Sequence, residues 1–152
     1  MRRWLFFLMF VSFMACEPDD LCLENPQINA VMRFHNALTG EPEAVDSVAV
    51  FFDGKKIIPA TQTDSLALPL PTDRDTAQFV FEKTEQPSGN FDTLVLIYKR
   101  NDVFVSKACG FRMTYSDLHA FLITDSNNWI HHVSVTRTQI TDDTLAHIRI
   151  YY

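Results

Sequence analysis

The chain has 152 residues, 47% of them hydrophobic, and a formal net charge of −6 at pH 7. This length is typical of one domain with a single core, and the negative charge argues against binding to nucleic acid or electrostatic binding to anionic lipid. The sequence lacks a glycine-rich phosphate loop, a His-Glu-x-x-His zinc motif and a Gly-x-Ser-x-Gly nucleophile motif, so it indicates none of these common catalytic classes.

The first fifteen residues have the layout of a secretory signal peptide. Two arginines precede an apolar run over residues 4–11, and the small residue Ala15 stands before Cys16. The run is shorter than the about 20 residues that a membrane-spanning helix needs. We therefore expect residues 1–15 to form a signal-peptide helix that is removed. The two arginines leave with it and no acidic residue does, so the formal charge changes from −6 to −8.

The end of this segment, Phe13-Met14-Ala15-Cys16, resembles a bacterial lipobox, in which the cysteine is acylated and becomes the first mature residue. We expect Cys16 to carry lipid and residues 16–26 to form an acidic tether. Each buried acyl methylene contributes about 0.8 kcal/mol, so two or three chains hold a protein stably on a membrane. The alternative is an ordinary secreted protein in which Cys16 is a spare thiol.

The other two cysteines are Cys22 and Cys109. If Cys16 carries lipid, they form an even pair, and the oxidising conditions outside the cytoplasm favour a disulfide between them. Such a bond requires their Cα atoms to lie within about 7 Å of each other. The alternative is two buried free thiols.

Alternating apolar residues predict β-strands through the first half of the mature domain. Asp53-Gly54 is the signal for a type I′ hairpin turn. Pro69 and Pro71 indicate that the strand before them lies at an edge or corner of its sheet. The strands predicted in this half span residues 27–36, 46–52, 55–58, 64–70 and 76–83.

The second half begins with the most apolar stretch of the mature chain, residues 91–99, which is typical of a central strand covered on both sides. A turn is predicted at residues 100–102, which would place a hairpin in the middle of a sheet. Residues 111–123 are ambiguous, because their apolar residues alternate at first whereas residues 117–121 could form a helical turn. The other strands predicted in this half span residues 103–107, 129–140 and 146–152.

Eight or nine short strands, with turn residues between them and no ordinary helix after the signal peptide, predict a single all-β domain over residues 27–152. We expect an immunoglobulin-like β-sandwich, with a small β-barrel as the alternative. In either fold the alternating apolar faces form one core.

Candidate metal ligands are few. His131 and His132 are adjacent on a predicted strand, so their side chains point to opposite faces and do not chelate one metal. One of them could meet His147 on a neighbouring strand, which supplies only two of the four ligands of a zinc site. Asp142 and Asp143 are more typical of a turn than of a calcium site. We expect no metal and no other cofactor.

Several segments of the mature chain stand out together. They are the acidic Glu17-Pro18-Asp19-Asp20 followed by Cys22, then Leu68-Pro69-Leu70, Ala108-Cys109-Gly110-Phe111, and Ala146-His147-Ile148-Arg149-Ile150. Together they resemble an uncharacterised lipoprotein family of Bacteroidetes, over nearly the whole mature chain. The family has no assigned activity, so the resemblance implies a lipid anchor and paired cysteines and transfers no catalytic residue. In such bacteria the acidic run resembles a signal for display outside the outer membrane; the alternative is a tether facing the periplasm.

The expected function is that of a lipid-anchored, non-enzymatic binding or accessory module of an outer-membrane or cell-surface assembly. Its partner would be an envelope protein or a glycan, and not nucleic acid. Asn127, Asn128 and Trp129 are candidate contact residues, because an aromatic ring beside polar amides on a loop often makes contacts. Alternatively, Trp129 begins a core-facing strand.

The second hypothesis is a hydrolase or sugar-binding enzyme whose site is built from dispersed residues. A cleft that holds two carboxylates, or a histidine paired with an acid, would favour this hypothesis. A filled core with flat faces would favour the binding module.

Overall fold

The fold is described from a computed structural model that covers residues 21–22, 27–84 and 89–152. The predicted signal peptide at residues 1–15, the acylation site Cys16 and most of the tether at 16–26 lie outside the described residues. Within that part of the chain every regular element is a β-strand. None of the described residues forms a helix with the length and hydropathy of a membrane span.

Nine strands form two sheets in the described chain. They are β1 (Asn29–His35), β2 (Val45–Phe52), β3 (Lys55–Thr63), β4 (Ser65–Pro69), β5 (Thr76–Lys83), β6 (Asn90–Ser106), β7 (Gly110–Ile123), β8 (His132–Val135) and β9 (Ile148–Tyr151). The four-stranded sheet has the order β4-β1-β9-β8, and the five-stranded sheet has the order β3-β2-β5-β6-β7. The two sheets pack on each other, which confirms the predicted all-β sandwich and shows that the barrel alternative is wrong.

The core lies between the sheets and follows from alternation along each strand. On β1, Ala30, Met32 and Phe34 are buried, because they share the face that points towards the other sheet. Their cross-strand partners continue the same layer: Leu68 lies opposite Ala30, and Ile150 lies opposite Phe34. Each such side chain stabilises the fold by roughly 1.5–3 kcal/mol when fully buried.

The predicted type I′ turn is present between β2 and β3. Asp53 and Gly54 both have positive φ, at 48° and 74°, as this turn requires. β3 then continues to Thr63, beyond the predicted end at residue 58. The following strand, β4, lies at the edge of its sheet, as the prolines in and after it predict.

Two predictions for residues 91–107 are wrong. The chain does not turn at residues 100–102, because β6 continues through them to Ser106, paired with β7, and turns at 107–109. Polar residues on a solvated pair of strands have the same composition as a turn, which explains the error. β6 is also covered on one face only, since Leu94 and Leu96 are buried whereas Ile97 is 42% exposed.

The ambiguous segment 111–123 belongs to β7, so the helical-turn alternative is wrong. Lys99 pairs with Ser116 and Ile97 pairs with His119, which leaves two β7 residues opposite one β6 residue, a β-bulge. Asp117 occupies the bulge with φ of 52°, and its Oδ2 lies 2.7 Å from Lys99 Nζ.

The last two strands are shorter than predicted. β8 covers four residues of the predicted 129–140, and β9 covers four of 146–152. β9 lies between β8 and β1. It pairs with β1 in parallel and with β8 in the antiparallel direction. The C-terminal strand is therefore built into the interior of its sheet.

Candidate functional site

The outer face of the five-stranded sheet carries exposed apolar side chains on its last two strands. We call this set, Phe91, Val95, Ile97, Phe121 and Ile123, the outer apolar face. Val95 lies directly opposite Phe121 across the β6–β7 pair. Excluding the half-buried Val95, these side chains are between 42% and 53% exposed.

The outer apolar face extends towards β2 through Phe51. The ring centroids of Phe51 and Phe91 lie 6.3 Å apart, and with Val80 the two rings line a depression of about 410 Å³. Polar groups border this region: Lys56 Nζ lies 4.8 Å from the centre of the Phe51 ring, and the His119 ring stacks at 6.4 Å from that of Phe121. The arrangement is an apolar centre with a polar rim.

The fold alone does not require these apolar residues. An antiparallel sheet with one face on the core ordinarily carries polar residues on the other face. Contiguous apolar patches are uncommon on soluble monomers and usually mark a binding site. An apolar centre with aromatic residues and a polar rim is also the usual anatomy of a protein interface.

The predicted contact residues Asn127 and Asn128 lie at one end of the outer apolar face, in the loop that begins directly after Ile123. Asn128 is engaged within this loop: its Oδ1 accepts the Asp125 N–H at 2.6 Å, and its Nδ2 donates to the Ile123 carbonyl at 3.1 Å. The Asn127 side chain is exposed, and its carbonyl accepts a hydrogen bond from Asn90 Nδ2 at 2.8 Å. Asn127 is thus a rim residue of this surface.

Trp129, the third predicted contact residue, is 9% exposed and packs in the core. Its indole lies 6.3 Å from the ring of Phe34 and 6.2 Å from that of Tyr152, and its Nε1 donates to the Phe81 carbonyl at 3.4 Å. Its side chain faces the core, as the alternative prediction has it. Trp129 does not begin the strand, however, because β8 begins three residues later, at His132. A partner on the surface would therefore meet Asn127 rather than the indole.

Asp92 holds this loop against β6 from inside. Its carboxylate is buried, and Oδ2 accepts the Ile130 N–H at 2.6 Å. Burial raises the pKa of Asp92 above its ordinary value, while the bond from Ile130 lowers it by a smaller amount. The buried carboxyl serves as a positioning group for the loop next to the outer apolar face.

His147 and His132 contact neighbouring strands of the four-stranded sheet. His147 is buried, and its Nδ1 accepts the Val31 N–H at 3.0 Å. Burial lowers its pKa. His132 is exposed and stacks on Tyr151 with ring centroids 4.1 Å apart. No group of three or more His, Cys, Asp or Glu residues that could hold a metal occurs in the described residues.

A cleft of about 580 Å³ lies beside the turn between β4 and β5, lined among others by Phe52, Arg74 and Tyr115. Arg74 forms an ion pair with Asp53, and its Nε lies 3.8 Å from an oxygen of Asp73. Tyr115 donates its hydroxyl hydrogen to the Leu70 carbonyl at 3.1 Å. Asp73, which lines the cleft, and Asp53, which does not, thus both contact the Arg74 guanidinium.

The predicted disulfide between Cys22 and Cys109 is confirmed. The two Cα atoms lie 4.9 Å apart and the cysteines are separated by 87 positions in the sequence. Because Cys109 lies in the β6–β7 turn, the bond fixes Cys22, which precedes β1, to the end of this hairpin.

Sequence reasoning missed the outer apolar face. The signal was present in the continuous run Leu94–Ile97 and in Phe121 and Ile123. In a two-layer sandwich each sheet has one core face, so alternate residues of a continuous apolar run have to point outwards. The prediction that residues 91–99 form a strand covered on both sides left no exposed face, and so the outward-facing apolar residues were not recognised.

The model of a family of unknown function, DUF6452, matches residues 44–152. This region contains β2 to β9, and with them the outer apolar face and Cys109. No curated protein and no solved structure matches the chain.

Proposed function

Because the chain belongs to DUF6452, a family of unknown function, we propose its role from its surfaces: it is a lipid-anchored envelope protein that acts by binding and catalyses no reaction. The outer apolar face is the observation that carries this proposal. Its partner is an envelope protein whose own apolar surface covers Phe91, Ile97, Phe121 and Ile123.

The composition of the surface favours a protein partner. Phenylalanine rings on a rigid sheet lose little conformational freedom on binding, and aromatic residues near the centre of an interface often dominate its energy. Full burial of a Phe or Ile side chain contributes roughly 1.5–3 kcal/mol, and these side chains are already half-buried, so each adds about half of that range on binding. The polar rim, including Asn127 and His119, supplies orientation.

The anchor is an acylated Cys16 in the outer membrane, with the domain facing the periplasm or the outside. The lipobox-like sequence before Cys16 supports it. So does the Cys22–Cys109 disulfide, because such bonds persist in oxidising compartments outside the cytoplasm.

Metabolic labelling tests the anchor. Cells that produce the full chain are grown with an alkyne-bearing fatty acid, and the protein is isolated and examined for the label. We expect label on the wild-type chain and none on Cys16→Ser, which also leaves the membrane fraction. An unlabelled wild-type chain, or equal labelling of the two, contradicts the anchor.

Site-specific photo-crosslinking in intact cells tests the binding surface. A photoreactive phenylalanine analogue replaces Phe121, and in a matched control it replaces Leu38, which is 97% exposed in the turn between β1 and β2. We expect a discrete protein adduct from position 121 and none from position 38. In the background of Ile97→Glu the adduct should fall about tenfold, which corresponds to about 1.4 kcal/mol of binding free energy. Equal yields at both positions contradict the proposal.

The cleft at Arg74 favours a second candidate, sugar binding, with or without hydrolysis. Phe52 is half-buried at the cleft, and the Arg74 guanidinium, which lies 5.3 Å from the centre of the Phe52 ring, offers hydrogen-bond donors. Titration of envelope glycan fragments into the protein tests it. Binding that Arg74→Gln abolishes, together with intact binding by Ile97→Glu, would support this candidate over the first.

A further inference from the structure

The β6–β7 hairpin extends beyond the sheet from which it starts. β5 pairs with β6 only as far as Ile97, whereas β6 continues to Ser106 with β7 as its partner. At about 3.3 Å per residue, this extension is roughly 30 Å long. The base of this extension packs on the rest of the fold, since Tyr115 is buried and bridges to Ile140 and Arg100 binds Asp75. We call the part beyond this base, residues 103–112, the hairpin arm.

The end of the hairpin arm exposes apolar side chains. Phe104 and Phe111 lie directly opposite each other, with ring centroids 5.5 Å apart in an edge-to-face arrangement. Val103 precedes them, and Leu21 adds a further side chain because its neighbour Cys22 is bonded to the turn. These residues, which we call the arm tip, are between 43% and 80% exposed.

Water is a poor environment for this arrangement. A two-stranded hairpin is at best marginally stable in water, and its stability normally comes from packing on a third element. The Phe104–Phe111 pair leaves most of both rings accessible, so the pair buries only part of the apolar area that it could. An apolar environment at the arm tip would stabilise the arm.

The disulfide fixes the arm tip close to the proposed lipid anchor. Cys22 and Cys109 have their Cα atoms 4.9 Å apart. Cys16 stands six positions before Cys22, and six residues reach at most about 21 Å when fully extended. The turn of the hairpin arm therefore lies within roughly 26 Å of Cys16, whatever path the tether takes.

We propose that the arm tip inserts into the interface of the bilayer that holds the acyl chains of Cys16. The inference rests on the proposed acylation of Cys16. Aromatic and aliphatic side chains bind at the boundary between headgroups and acyl chains. From this position the exposed Lys107 in the hairpin turn reaches lipid phosphates. The net charge of the mature domain is negative, so the domain as a whole is not attracted to anionic lipid, and the apolar arm tip makes the contact.

This second contact determines how the domain sits on the membrane. A lipid chain alone does not fix the orientation of a domain, whereas a chain and an inserted hairpin together restrict it. The hairpin arm then stands between the bilayer and the sandwich, and the sandwich is held away from the membrane. The outer apolar face remains accessible to a protein partner.

Fluorescence quenching by brominated lipids tests the inference on the mature, acylated protein. The protein is reconstituted into phosphatidylethanolamine–phosphatidylglycerol vesicles whose acyl chains carry bromine. Phe104→Trp places a reporter at the arm tip, and Phe121→Trp is the matched control, since the two phenylalanines are similarly exposed. The wild-type protein supplies the background from the buried Trp129.

We expect the added emission of Phe104→Trp to fall by about half or more, because interfacial side chains sit roughly 5–10 Å into the headgroup boundary, near the bromines. The added emission of Phe121→Trp should not change. If the protein floats with the vesicles and the two variants are quenched equally, or neither is quenched, the arm does not insert, while the anchor stands. If the chain carries no acyl group and does not float, the anchor is wrong and the insertion proposed on it is wrong too.

Discussion

The buried carboxylate of Asp92 holds a surface loop in place. Its Oδ2 accepts the Ile130 N–H at 2.6 Å. Burial makes a charged carboxylate costly and therefore raises the pKa of Asp92. The carboxyl thus supplies an acceptor to the loop, although its charge is unfavourable in the folded protein.

Asp92→Asn is expected to remove a pH-dependent loss of stability. A raised pKa means that the folded protein binds the proton more tightly than the unfolded chain, so wild-type stability falls as pH rises above the ordinary value of 3.8 through the folded pKa. Asparagine keeps an oxygen for the Ile130 N–H and does not titrate.

Urea unfolding at pH 3.5 and pH 7 measures this difference. We compare the free energy of unfolding of Asp92→Asn with that of wild type at each pH. From pH 3.5 to pH 7 this difference should shift in favour of Asp92→Asn by about 1.4 kcal/mol for each unit by which the pKa of Asp92 is raised. Asp102→Asn, an exposed position on the same strand, is the control. A relative stability of Asp92→Asn that does not change with pH contradicts the argument.

His147 gives the opposite pH dependence. Because its Nδ1 accepts the Val31 N–H, the ring is neutral with its proton on Nε2, and protonating both nitrogens would break this bond. Burial lowers the pKa of His147, and the charge of Arg137 lowers it further. Stability is therefore lost as pH falls below the ordinary value of 6.5, where the unfolded chain binds the proton first.

His147→Asn should flatten the acid side of the stability profile. The asparagine oxygen can take the place of Nδ1, while the titrating ring is gone. From pH 7.5 to pH 5 the wild-type free energy of unfolding should fall by at most about 1.4 kcal/mol per pH unit through this group. The exposed His131→Asn should retain the wild-type slope, and equal slopes in all three proteins would contradict the assignment.

Regular strands could be predicted from the sequence, because their faces follow from alternation alone. β5 spans the predicted residues 76–83 without change, and the Asp53-Gly54 turn has the expected geometry. The continuation of β6 through residues 100–102 could not be predicted, since β7 supplies the pairing and lies later in the chain. Whether a face is covered is likewise a tertiary property, which is why the outer apolar face was missed.

The β2–β3 turn provides a prediction at the scale of the element. A side chain at Gly54 would meet open space, yet its φ of 74° is unfavourable for residues with a Cβ. Gly54→Ala should therefore lower the free energy of unfolding by about 1 kcal/mol through the backbone alone. Gly54→Asn should lose less, because asparagine tolerates this region. Thermal unfolding of the two variants measures the difference, and equal losses would contradict a purely conformational cause.

At the scale of the molecule, one covalent bond connects the segment before β1, the hairpin arm and the sandwich. Cys22 precedes β1, and Cys109 ends an arm that leaves the sheet. The family match begins at residue 44, after β1. The bond therefore joins a segment before the matched region to the middle of that region.

Removing this bond should destabilise the whole fold. A cross-link between cysteines 87 positions apart restricts the unfolded chain, and the chain-entropy estimate for a loop of this size is about 4.5 kcal/mol. Disulfides typically stabilise a fold by about 2–4 kcal/mol, and we expect a net loss in this range. Urea unfolding of the double variant Cys22→Ser/Cys109→Ser measures it, with Cys16→Ser as the control that leaves the disulfide intact. Equal stability of the double variant and wild type would mean that the bond does not stabilise the sandwich.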